Sequence, residues 1–107
     1  FDIFLQQANF VLARKEKILK DELSAFKGGV FFFYFEYSDS IQHMFWYFKN
    51  MPDSAYKNVV LECYRRMDNI LGWVMNHIDN DTTLIVLSDH GFGEFNRAVN
   101  INSWLRD

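Results

Sequence analysis

Two apolar runs, each cut off by an aspartate and a histidine, set the terms on which this sequence can fold. One is Thr82-Thr83-Leu84-Ile85-Val86-Leu87, followed at once by Ser88-Asp89-His90-Gly91-Phe92-Gly93. The other is Val30-Phe31-Phe32-Phe33-Tyr34-Phe35-Glu36-Tyr37, followed by Ser38-Asp39-Ser40-Ile41-Gln42-His43. Short runs rich in β-branched and aromatic residues read as strands rather than helices. Residues 30–37 do not alternate apolar with polar, which is expected of a central parallel strand covered on both faces. They are not a platform for stacking bases, because consecutive strand residues point to opposite faces.

Around these runs the pattern is helical. Residues 2–27 repeat apolar side chains near the 3.6 period, at Phe4, Leu5, Ala8, Val11, Leu12, Ile18, Leu19, Leu23 and Phe26. The charges at Arg14 to Lys17 and at Lys20 to Glu22 form a solvated face. Gly28-Gly29 stops this helix, since glycine accepts a left-handed cap without Cβ strain. Ser38 or Asp39 can cap a short helix over residues 38–50, and a helical turn there puts Asp39 and His43 on one face. Met51-Pro52-Asp53-Ser54 breaks the chain, with Asp53 or Ser54 as the next cap. The clearest helix spans residues 56–78. Its buried stripe runs through Val59 or Val60, Cys63, Met67, Ile70 or Leu71, Val74 and Ile78. His77 belongs to its end as a surface or capping residue. Asp79-Asn80-Asp81 lacks the ligand pattern of a calcium loop and reads as a turn. After the second run come a glycine-bearing loop (89–96), a short extended piece (97–100) and the start of another helix.

Two strands joined by a long helical connection make a βαβ unit, with parallel strands and a right-handed crossover. The expected fold class is therefore α/β with a parallel sheet. Parallel strands end on the same side, where ligands of open α/β sheets bind. Asp39, His43, Asp89 and His90 then converge on one edge. Carboxylate oxygen and imidazole nitrogen suit zinc, and also manganese or iron. Two Asp–His pairs, each short of a full shell, can serve two ions that clamp a phosphate between them.

The bulk properties agree with a packed chain. Of 107 residues, 50% are hydrophobic and 19% aromatic, enough to bury a core. The net charge of -3, without a basic run, gives no surface for a nucleic-acid polymer. The single cysteine, Cys63, allows no intrachain disulfide and reads as a small core residue. It leaves the compartment open, with a lean to the cytoplasm. No apolar stretch approaches the ~20 residues that span a bilayer. The chain starts at Phe1 and ends as an element begins, and so reads as part of a larger domain.

The stretch Glu36-Tyr37-Ser38-Asp39-Ser40-Ile41-Gln42-His43-Met44-Phe45-Trp46, with Leu87-Ser88-Asp89-His90-Gly91-Phe92-Gly93 later in the chain, resembles the type I phosphodiesterase/nucleotide pyrophosphatase group of the alkaline phosphatase superfamily. The tail Arg97-Ala98-Val99-Asn100-Ile101-Asn102-Ser103-Trp104-Leu105 is similar to the segment downstream of the Ser-Asp-His-Gly-Phe motif in that group, so the resemblance covers roughly residues 30–107. It implies a segment of an alkaline-phosphatase-like three-layer α/β domain that hydrolyses small phosphate esters through a covalent phospho-enzyme, using two divalent ions, zinc or else manganese. Asp39 and His43 match donors to one ion, Asp89 and His90 donors to the other. The group's Thr or Ser nucleophile, its upstream Asp and a further downstream His have no counterpart here. Thr82, Thr83, Ser38 and Ser40 stand in the wrong places for the nucleophile. The 107 residues alone are therefore expected to be inactive. The alternatives are another activity of the superfamily, phosphomutase or sulfatase-like, and a non-catalytic α/β interaction domain.

Overall fold

The computed structural model describes residues 1–94 and 97–106. Three helices form its packed part: α1 (Asp2–Ala25), α2 (Tyr37–Phe45) and α3 (Val59–Met75). A 3-10 turn (Trp46–Asn50) comes directly after α2, and a short α4 (Ile101–Trp104) lies near the end. Among the described residues no helix is long and apolar enough to cross a membrane.

The core is where the apolar stripes of these helices meet. From α1 it takes Leu12 and Leu19, from α2 Tyr37, Ile41 and Phe45, and from α3 Val60, Cys63 and Ile70. Spacings of three, four and seven place each set on one side of its helix. Phe45 is fully buried, and its ring lies 5.5 to 6.2 Å from those of Phe1, Phe4, Phe48 and Tyr56. A polar bridge ties the three helices: the Tyr37 hydroxyl donates to Asn9 Oδ1 at 2.8 Å, and Arg66 donates to the same Asn9 oxygen. Burial raises the Cys63 thiol to about 11, as suits a core residue.

Helix ends shift slightly from expectation. α1 stops at Ala25, with Phe26 already extended, and Gly28 and Gly29 come next at φ +146° and +107°, where glycine is favoured. The chain thereby doubles back, and Phe31 meets the edge of Phe26 at 5.4 Å. α3 is shorter than the expected 56–78 span; the turn before it is held by Ser54 Oγ, which accepts from the Tyr56 amide at 3.1 Å. Asp79 Oδ1 accepts from Asp81 N and Thr82 Oγ1, making the acidic triplet a plain turn.

The sheet is the principal correction. Among the described residues there is no strand, and no backbone hydrogen bond joins the two apolar runs. The described residues are helical, and neither the parallel βαβ unit nor the three-layer α/β arrangement is present among them. A strand exists only when a neighbour takes up its amides and carbonyls. Residues 30–35 find helix α1 instead. Phe31, Phe33 and Phe35 pack against the helical core, while Val30, Phe32 and Tyr34 stand 94%, 81% and 60% exposed. One face is covered rather than two. Lys15 Nζ reaches the Tyr34 carbonyl at 3.3 Å and pairs with Glu36, replacing with a side chain one contact a neighbouring strand would make. Tyr37, assigned from sequence to the strand, is instead the first residue of α2. The second run, residues 82–87, is exposed throughout. A compact chain of 12.8 kDa leaves about 6,300 Å² of surface open; this one leaves 8945 Å².

Candidate functional site

α2 is amphipathic in a way that serves two purposes. Tyr37, Ile41 and Phe45 recur every four residues on the buried side. Asp39 and His43 have the same spacing on another face, so the helix that seals the core also carries a carboxylate and an imidazole outward. The orientation of α2 is fixed further by Gln42, a buried polar residue. Its amide donates to Ser38 O at 3.0 Å, and its oxygen accepts from the Tyr64 hydroxyl of α3 at 2.9 Å. Asp39 lies in the first turn of α2 and is favoured there by the helix dipole; Ser38 and Asp39 are inside the helix rather than its caps.

The second pair comes to the first. His43 Nε2 is 3.4 Å from Asp39 Oδ1, and His90 Nε2 is 4.0 Å from the same oxygen. His90 Nε2 also stands 3.7 Å from Asp89 Oδ2. Asp39 Oδ1 is sealed from solvent and has no hydrogen-bond partner among the described residues. These separations exceed those of an N–H···O bond, so the oxygen faces two imidazoles without being satisfied by either. Thus His43 and His90 both approach the same Asp39 oxygen, with Asp89 beside His90, and not at the edge of a sheet.

The loop's own bonds shape His90. Its Nδ1 is 2.8 Å from the Gly91 carbonyl, an acceptor only, so Nδ1 carries the proton. In the neutral ring Nε2 then keeps its lone pair toward the two carboxylates, the form in which histidine binds a metal. The Gly91 carbonyl, and after it the charges of Asp89 and Asp39, raises the His90 pKa above its ordinary value, against a smaller opposing effect of desolvation. Ser88 Oγ donates to His90 O at 2.6 Å and tightens the same turn.

Aromatic contacts dock this loop onto α2 and the 3-10 turn. Phe92 meets His43 edge-on, with centroids 4.9 Å apart, and Trp46 at 5.1 Å. Asn50 donates to Glu94 at 3.0 Å. Lys49 Nζ sits 3.6 Å over the Trp46 ring. Sequence reasoning overlooked Phe92, Trp46 and Gln42. For Phe92 a signal existed: it is a large apolar side chain set between Gly91 and Gly93, directly after the Asp89–His90 pair. Arg97 is exposed and forms no ion pair among the described residues, and Asn96 lies outside them. His77 stacks on Trp73 at 3.8 Å, far from this chemistry in role, as its place at a helix end suggests.

The donor set suits a divalent ion in kind: carboxylate oxygens and a neutral imidazole nitrogen, with one buried oxygen left unpaired. In a tetrahedral shell with bonds of about 2.0–2.2 Å, donors stand about 3.3–3.5 Å apart. The Asp39–His43 separation meets this, while those of His90 are wider. Among the described residues no three such side chains are gathered closely enough to form a shell by themselves.

The family model described as Type I phosphodiesterase / nucleotide pyrophosphatase matches residues 5–107. Neither a curated protein nor a solved structure matches the chain.

Proposed function

Because the chain belongs to the type I phosphodiesterase/nucleotide pyrophosphatase family, a family of hydrolases acting on phosphate esters, we propose that it is the metal-holding part of such a hydrolase's catalytic domain. Asp39 and His43 would hold one divalent ion and Asp89 and His90 a second, zinc being the first choice for this nitrogen and oxygen set and manganese the other. The observation that carries the proposal is the buried, unpartnered Asp39 Oδ1 with His43 and His90 both turned toward it. Bound there, such ions supply positive charge that offsets the phosphoryl oxygens and lowers the pKa of a nucleophile.

The chain's own residues do the positioning. α2 holds Asp39 and His43 rigidly, one turn apart, on a helix whose other side is core. The Gly91 carbonyl keeps the His90 proton on Nδ1. The substrate class is a small phosphate ester, and the nucleophile is none of Ser38, Ser40, Thr82 or Thr83. The 107 residues by themselves bind metal weakly and turn over no ester.

Calorimetric titration of the 107-residue chain with zinc tests this. Wild type takes up zinc, whereas Asp39→Ala, Asp89→Ala and His90→Ala each weaken uptake at least tenfold, with helical ellipticity retained. Equal uptake by wild type and all three variants defeats the donor assignment. Rapid zinc-dependent hydrolysis of a chromogenic phosphodiester by the chain alone defeats the claim that it lacks its nucleophile.

A further inference from the structure

After Ile78 every described residue is exposed, with one exception, Phe92. The apolar residues of 84–87 point into solvent and hold nothing down. It is therefore a short docking segment that brings the second carboxylate–imidazole pair to α2. The Phe92 ring lies against His43 and Trp46, and the Asn50–Glu94 hydrogen bond fastens its far side. We infer that Phe92 is a positioning residue: its ring, seated on His43 and Trp46, sets the distance between the Asp89–His90 pair and the Asp39–His43 pair. The inference rests on the proposed donor role of those four residues, but the seating of the ring can be tested without it.

The geometry gives the ring two effects. It sits two residues beyond His90, so a shift of the ring moves the imidazole relative to Asp39 Oδ1. Its edge-on contact with His43 also restricts the rotation of that imidazole, a first-pair donor. A side chain that orients metal donors from outside the shell commonly changes affinity by about 10–100-fold when removed. The first effect acts through His90, so the effect of Phe92 shrinks once His90 is gone and only the His43 contact remains. Phe92 is not part of the buried helical core, so its replacement leaves the helices in place.

The experiment has two arms on the 107-residue chain. In the first, without metal, proton NMR detects cross-relaxation between the rings of Phe92 and those of His43 and Trp46. Its presence in wild type and in Phe92→Tyr supports the anchor; its absence in wild type overturns it, whatever zinc does. In the second, zinc affinity is measured for Phe92→Ala, Phe92→Leu, Phe92→Tyr and the double variant with His90→Ala. The expected result is a loss of tenfold or more for Ala, a smaller loss for Leu, and a value within threefold of wild type for Tyr. Phe92→Ala costs less in the His90→Ala background than in wild type. An Ala variant that binds zinc as wild type does, or that weakens the His90→Ala background as much as wild type, overturns the positioning role. Ring contacts present with no zinc bound by wild type would sink the donor assignment while upholding Phe92 as the loop's anchor.

Discussion

Replacing Ile41 by Val removes one methylene from the most enclosed point of α2. Ile41 is 0% exposed and sits between the buried stripes of α1 and α3, directly behind the face that carries Asp39 and His43. Transfer of one methylene out of the core costs about 0.8 kcal/mol, and the void left by an Ile→Val change brings the expected loss to roughly 0.5–1.5 kcal/mol. The same substitution at Ile85, which is 70% exposed, removes a methylene that water already covers and costs less than about 0.5 kcal/mol. In urea, with a slope on the order of 1–2 kcal/mol per molar for a chain of this size, Ile41→Val lowers the midpoint by roughly 0.3–1.5 M at unchanged slope. Ile85→Val leaves the midpoint in place. The comparison separates this helical fold from one in which residues 82–87 are interior. An Ile85→Val loss equal to that of Ile41→Val, or no loss at Ile41, would refute this packing.

Two more outcomes come from ionisable groups. Burial holds the Cys63 thiol near 11, so Ellman's reagent at pH 8 modifies it only when the core opens; a native-state rate within threefold of that in urea contradicts its burial. The hydrogen bond from Lys15 holds the Glu36 carboxyl below its ordinary 4.5. Its folded value is the lower one, so the pair stabilises the fold above the unfolded pKa and the contribution disappears as pH falls through the folded one. Both side chains are partly solvated, which limits the contribution to about 1 kcal/mol or less. Glu36→Gln should therefore lower stability at pH 7 slightly and match wild type in the acid limit, as read from urea midpoints between pH 7 and 3. A deficit that grows toward acid would reverse the sign of the argument.

Helical periodicity was readable residue by residue. Val60, Cys63, Met67, Ile70 and Val74 do form the inner side of α3, and the four-residue spacing of Asp39 and His43 does place them one turn apart. Strand pairing was not readable, because a local sequence states only that residues fit a pleated surface and not whether a neighbour is present. In residues 30–35 the alternation that matters was masked, since Val30, Phe32 and Tyr34 are as apolar as the phenylalanines that pack. The four candidate donors were expected at a common sheet edge; without a sheet among the described residues, a helix face and an aromatic contact bring His43 and His90 toward Asp39 instead.

The arm that ends in Phe92 can also be regarded as a tethered ligand. About 14 residues separate Ile78, the half-buried residue that follows α3, from the ring. A free chain of that length has a root-mean-square span of roughly 20 Å. A group on such a tether meets its target at an effective concentration in the millimolar range, which even a weak contact such as one aromatic ring in a shallow seat can exploit. The donors on the arm share that advantage. Any ion that engages both pairs at once is held by two attachments whose local concentrations are set by the same length of chain. Lengthening the span between Ile78 and Asp89 would dilute both attachments together, without touching a single donor atom.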